Sequence, residues 1–160
     1  MPIEHNELRR VMGHFATGVA VITTRDVDGK PFGLTANAVS SVSLTPPLLL
    51  VCVDKKAESH PAFERSGQFT VNVLAREHED VSRRFAVSGG DKFSDVSHRA
   101  GRTGSPVLDG AIAVVECRVV AAHDAGDHTI YVGEVEHAEA AADGEPLLFF
   151  RGKYHRLHRD

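Results

Sequence analysis

Only two cysteines, Cys52 and Cys117, occur among the 160 residues, and both sit inside apolar runs. So small a number excludes a disulfide framework, and a thiol in such surroundings serves as a small buried hydrophobe rather than as a ligand. Basic residues are also in short supply: 18 Lys and Arg stand against 22 Asp and Glu, for a formal charge of -4. Scattered cations of this number make no footprint for a phosphate backbone, so nucleic acid is not expected as a partner. No apolar run approaches the roughly 20 residues of a membrane-spanning helix, and no apolar segment follows Met1 as it would in a secretory signal. Neither a membrane nor export is expected, and the cysteine content suits a reducing cytoplasm.

Signature motifs are missing as well. The chain has no G-x-G-x-x-G after a strand, no G-x-x-x-x-G-K-[ST], no H-E-x-x-H, no C-x-x-C and no G-x-S-x-G. Rossmann dehydrogenases, P-loop NTPases, zincins and typical serine hydrolases thereby lose their main support. His155 and His158 have the spacing of a ligand pair, but no third ligand accompanies them, so they read as a solvated tail and no metal is expected.

What is present is a succession of short elements. Leu8, Val11, Met12 and Phe15 recur at i, i+3, i+4 and i+7, one apolar face of a helix that Asn6 would cap and Gly18 would end. Val19 to Thr24 is rich in β-branched residues and leads to Asp28-Gly29, a hairpin turn from which Phe32 to Val42 returns as a strand. Pro46-Pro47 is expected to stop the ladder, and the apolar run Leu48 to Val53 to form a strand buried on both faces. Ser59 followed by Pro61 predicts a short capped helix closed by Gly67; Gln68 to Leu74 reads as a strand and Glu77 to Phe85 as a surface helix. Ser88 to Pro106 is a glycine-rich loop, a candidate lid or interface. Ala111 to His123, His128 to Ala138 and Leu147 to Tyr154 give three further strands, with turns at Gly126-Asp127 and Asp143-Gly144. Six or so strands, a few short helices and no βαβ rhythm predict a single domain over 1–160. Its class is mainly β with short helices, built as an antiparallel, closed or partly closed barrel.

Three segments carry chemistry. From Gly33 to Pro47, small polar side chains and free backbone groups suit the edge of a flat, hydrogen-bonding heterocycle. If Ser59 caps a helix, the first-turn N–H groups form an anion site to which Lys55 or Lys56 adds charge. Gly126-Asp127 places His128 at the start of a long strand, at a barrel mouth where ligands bind. Each segment has a plainer reading too: hydroxyls satisfying their own backbone, solvated lysines and an exposed turn histidine.

Thr35-Ala36-Asn37-Ala38, Ser41-Val42-Ser43, Pro46-Pro47, Gly126-Asp127-His128 and Arg151-Gly152-Lys153-Tyr154 follow one another in an order that is more specific than any one of them. On these motifs the chain resembles the short-chain flavin reductases, the reductase components of two-component flavin-dependent monooxygenases, from its first helix to Tyr154. The resemblance implies the FMN-binding split β-barrel, a homodimer, hydride transfer from NADH or NADPH to FMN or FAD, and delivery of reduced flavin to a partner monooxygenase. It places Thr35, Ala36, Asn37, Ala38, Ser40 and Ser41 along the isoalloxazine and ribityl chain, and Val53, Asp54, Lys55 and Ser59 in the segment that continues toward the phosphate. Phe85, Lys92 and Tyr154 are implied as further flavin neighbours, and His128 as the catalytic-site histidine between flavin and nicotinamide. Many members have serine after the asparagine; here Ala38 leaves any hydrogen bond at that position to the backbone. Two other outcomes stay open: a split-barrel flavoprotein acting on another acceptor such as a corrinoid, and a non-catalytic flavin-binding module.

Overall fold

In the computed structural model, which describes residues 1–160, helix α1 (His5–Met12) leads into strands β1 (Thr17–Gly18), β2 (Ala20–Arg25), β3 (Pro31–Ala36), β4 (Val39–Leu44) and β5 (Pro47–Asp54). Helix α2 (His60–Ser66), β6 (Gln68–Val73), a 3-10 turn at Arg76–His78 and α3 (Glu79–Phe85) follow. The remainder comprises β7 (His98–Ala100), β8 (Pro106–Leu108), the long pair β9 (Ala113–Ala125) and β10 (His128–Ala140), then β11 (Leu147–Phe150) and β12 (Lys153–Arg156). Seven strands form one sheet in the order β3-β2-β6-β9-β10-β5-β4, with β1-β11-β12 and β7-β8 as smaller sheets; every pairing is antiparallel.

Strands β3 and β4 lie at opposite ends of that order, yet only Asn37 and Ala38 join them. From Ala36 to Val39 the chain covers at most about 11 Å, so the sheet must curl until its two edges nearly meet. The result is the split barrel, with its seam at Asn37-Ala38.

Alternation along the strands sorts residues between two cores. Ile22, Val51, Val53, Phe69, Val71, Cys117 and Tyr131 fill the barrel, closed at one side by Phe63 of α2. On the other face of β2, Val19 and Val21 pack with Leu74, Phe85, Phe93, Leu108 and Leu147. The strands covered on both faces are therefore β2 and β6. In β5, by contrast, Leu49, Val51 and Val53 are buried while Leu48, Leu50 and Cys52 on the outer face are only half-buried. Asn72 ties the two cores together: its side-chain amide donates to the Val21 carbonyl (3.1 Å) and its oxygen accepts from the Leu108 N–H (2.8 Å). Gly33 is required by packing, since a Cβ there would stand 2.9 Å from the Phe85 ring.

Other local expectations change as well: Ser88 to Pro106 is not all loop, because His98–Ala100 pairs with Pro106–Leu108 as a two-stranded sheet. Helix α1 stops at Met12, with Glu4 rather than Asn6 at its N-cap, and Leu8, Val11, Met12 and Phe15 are all exposed. Phe32 to Val42 is two strands, because the seam interrupts it. Pro47 pairs with Leu44, so Pro46-Pro47 turns a β4–β5 hairpin instead of ending the ladder. Leu147 to Tyr154 is likewise a hairpin, turned where Arg151 and Gly152 take φ of 51° and 77°. Both cysteines are unpaired, and burial pushes the Cys117 thiol up to about 12. No helix is long and apolar enough to cross a membrane.

Candidate functional site

A cleft of about 450 Å³ opens along the seam. One wall is the end of β3 and the seam itself, Leu34 to Ala38. Facing it are Cys52 and Asp54 from the end of β5, and Lys56 to Ser59 from the loop that follows. Phe85 to Ser88 and Lys92 close the third side, and His128 stands where β10 begins, directly across from Asp54 in the strand register. Pairing of β10 with β5 is thus what brings a residue of the Gly126-Asp127 turn to the same opening as residues 74 positions earlier in the chain.

The walls differ in character. Thr35 Oγ1 donates to the Ser82 carbonyl (2.6 Å), so its hydroxyl braces α3 rather than facing a ligand. The Asn37 carbonyl accepts from the Val39 N–H (3.0 Å) and the Ala38 carbonyl from the Cys52 N–H (3.1 Å), which fixes the seam's backbone. Phe85 is buried and meets Phe93 edge-on at 5.0 Å, giving the cleft an apolar floor. His128 is half-buried and its Nδ1 lies 2.7 Å from Asp127 Oδ1. That contact draws the Asp127 carboxyl below the usual carboxylate range and orients the imidazole.

Of the residues expected from the sequence, the cleft gathers Thr35, Ala36, Asn37, Ala38, Asp54, Ser59, Phe85, Lys92 and His128. Five others stand outside it. Lys55 pairs with Asp124 and donates to the Gly126 carbonyl (2.8 Å), which anchors it to the β9–β10 hairpin; its neighbour Lys56 lines the cleft instead. Ser40 and Ser41 lie exposed along β4, with the Ser40 hydroxyl donating to the Ser41 carbonyl. Val53 is fully buried in the barrel because alternation turns it inward and Cys52 and Asp54 outward. Tyr154 sits behind the seam, in a hollow it shares with Thr35, Ala36 and Asn37, where its hydroxyl lies 2.7 Å from Ser82 Oγ and Arg83 stacks on its ring. Ser59 lines the cleft without a side-chain cap bond, and the N–H groups of His60, Ala62 and Phe63 at the start of α2 already donate to the Ala57 and Ser59 carbonyls. Cys52, Ala57, Glu58 and the Ala86–Ser88 segment are cleft residues that no motif in the sequence signalled.

The cleft suits a flat aromatic ligand with polar groups at its edge. Its volume lies within the range of small-molecule sites, its floor is aromatic, its seam is polar, and Lys56 and Lys92 line it together with Asp54 and Glu58. Fold and site together define a class: a small antiparallel split barrel with an open cleft along its seam.

Comparison with known proteins makes the class specific. The family model described as "Flavin reductase like domain" matches residues 12–158. The reductase subunit HsaB of a flavin-dependent monooxygenase from Rhodococcus jostii is 40% identical over 158 residues, 99% of this chain and 80% of that protein. An FMN reductase (NADH), SmoA, from Agrobacterium fabrum is 42% identical, with 99% of this chain and 95% of the relative covered. Among solved structures, the Streptomyces globisporus NADH:FAD oxidoreductase SgcE6, in complex with NAD and FAD fragments, superposes with a TM-score of 0.93. It is 40% identical, over 98% of this chain and 94% of that one. The chain belongs to the flavin reductase-like family and is a flavin reductase.

Proposed function

We propose that this enzyme transfers hydride from NADH or NADPH to FMN or FAD held at the Asn37-Ala38 seam, and releases the reduced flavin to a partner monooxygenase. The observation that carries the reading is the cleft itself: a polar seam, an aromatic floor and two lysines around one opening. When bound, flavin supplies the hydride-accepting ring and the nicotinamide the donor, so the protein needs no nucleophile or acid-base pair of its own. Its residues bind and orient. The Thr35 to Ala38 backbone and the Asn37 amide meet the polar edge of the ring, and Phe85 and Ala86 keep water from one side. Lys56, Lys92 and Ser59 serve the phosphate end. His128, fixed by Asp127, stands at the mouth and positions the nicotinamide. Relatives named as monooxygenase reductase subunits support the partner, and SmoA and SgcE6 support NADH as donor with FMN or FAD as acceptor. The free cysteines support a reducing, cytoplasmic setting.

One assay tests this. NADH or NADPH oxidation should require added FMN or FAD, the flavin should bleach when oxygen is excluded, and His128→Ala should raise the KM for the nicotinamide several-fold. Oxidation that ignores added flavin would refute the function, and an unchanged KM would remove His128 from its role.

A homodimer is part of the same proposal. Leu8, Val11, Met12 and Phe15 leave an apolar stripe uncovered, and Val39, Val42 and Leu44 do the same on the edge strand β4. An apolar groove runs from Phe15 to Val39 beside Asn37, continuous with the seam. A second copy is the occupant that would cover stripe and edge alike by a two-fold contact. Sedimentation at micromolar concentration should give a dimer; a 17.3 kDa monomer would contradict it.

A further inference from the structure

Lys92 is the cleft's most enclosed cation: its side chain is only 10% exposed, and its ammonium lies 3.2 Å from Glu58 Oε1. Glu58 is itself 41% exposed, and its other oxygen accepts from the Gly89 N–H at 3.1 Å. Both residues also line a second cleft of about 660 Å³, bounded by Lys30, Phe32, Phe93 and His98, so the ion pair is the partition between two adjoining hollows. The Gly89 N–H and the Lys92 ammonium hold the Glu58 carboxyl below its usual range, with Lys30 adding to the same field, so it is an anion at neutral pH.

We propose that Glu58 is a built-in competitor for the flavin phosphate: its carboxylate occupies the Lys92 ammonium, and an entering phosphate must displace it. This rests on the flavin reading above. An enclosed ammonium needs a counter-ion, and a phosphate monoester, with a charge of about -1.5 to -2 at neutral pH, is the stronger one. Its gain at Lys92 is nevertheless only the difference between the two anions, because the carboxylate gives up its partner and faces the phosphate as a like charge. Affinity is lowered in this way without loosening the contacts that orient the ring. A reductase that must let its flavin leave needs that separation.

Glu58→Gln isolates the effect. The amide oxygen still accepts from Gly89, so the loop stays anchored, while the competing charge is gone. In fluorescence titrations of the purified enzyme, FMN should bind about three- to fivefold tighter to E58Q than to wild type, the size of change expected from one partly exposed charge pair. Riboflavin, which has no phosphate, should bind the two alike. In a Lys92→Met background the same Glu58→Gln change should have no effect on FMN, since the contested cation is absent. An unchanged FMN affinity in E58Q, or equal tightening of FMN and riboflavin, would overturn the proposal. If Glu58 only anchors the loop, E58Q will match wild type while Glu58→Ala weakens FMN and riboflavin together. Wild type that binds neither flavin would overturn the flavin reading itself; wild type that binds both, with E58Q unchanged, leaves that reading standing and removes only the competitor.

Discussion

Gly133→Val is expected to abolish the folded barrel, and Gly133→Ala to lower its stability by about 1–3 kcal/mol, the usual cost of overpacking a filled core. Gly133 lies in the middle of β10. A Cβ added there would stand 2.6 Å from Cys117 Cβ and 2.7 Å from Phe69 Cζ, and neither neighbour has any exposed surface through which to retreat. The clash reaches Cys117 at its own Cβ, so a change of rotamer offers no relief there. The pairing of β10 with β9 is already irregular between Val132 and Gly133, so the ladder has little to spare at this point. Denaturant unfolding of the alanine variant and soluble yield of the valine variant measure both. An alanine variant with the wild-type midpoint would contradict the packing account.

Ala38→Tyr should do the opposite, leaving stability nearly intact while removing activity. Ala38 is exposed at the seam, and its structural duty is carried by its carbonyl, which accepts from the Cys52 N–H whatever the side chain. Surface substitutions of this kind usually stay within about 0.5 kcal/mol. A phenol at this position would fill the space that the proposed site gives to the flavin ring. Flavin-dependent NADH oxidation should fall at least about a hundredfold, equivalent to about 2.7 kcal/mol of lost transition-state binding. Normal turnover in a well-folded A38Y enzyme would place the flavin elsewhere. The two variants together separate what holds the barrel from what the barrel holds.

Much of this was legible in the sequence, and the parts that were not share a cause. Strand alternation and turn chemistry are local, so β2, β6, β9 and β10 could be placed from their own residues. The ordered motifs pointed to Asn37, Ala38 and His128, which the fold brings to one opening. By contrast, the choice between Lys55 and Lys56 is made by Asp124, 69 residues from Lys55 in the chain, and no local pattern reports that contact. Ser40 and Ser41 matched a motif but lie beyond the seam, where β4 has already turned away from the cleft. The stripe from Leu8 to Phe15 correctly announced a helix, but periodicity does not say what covers it, and within a single chain nothing does. Glu58 was invisible for a different reason: a lone glutamate acquires meaning only when folding sets a lysine 34 positions later against it.

The two-residue link between β3 and β4 also bears on how such a protein can change. It acts as the clasp of a hoop. A longer clasp would no longer oblige the two edges of the sheet to lie so close. The 88–97 loop on the cleft's far side hangs from the hoop without being part of it. New ligand preferences are therefore most easily gained by insertions and substitutions in that loop, while the link at Asn37-Ala38 stays short.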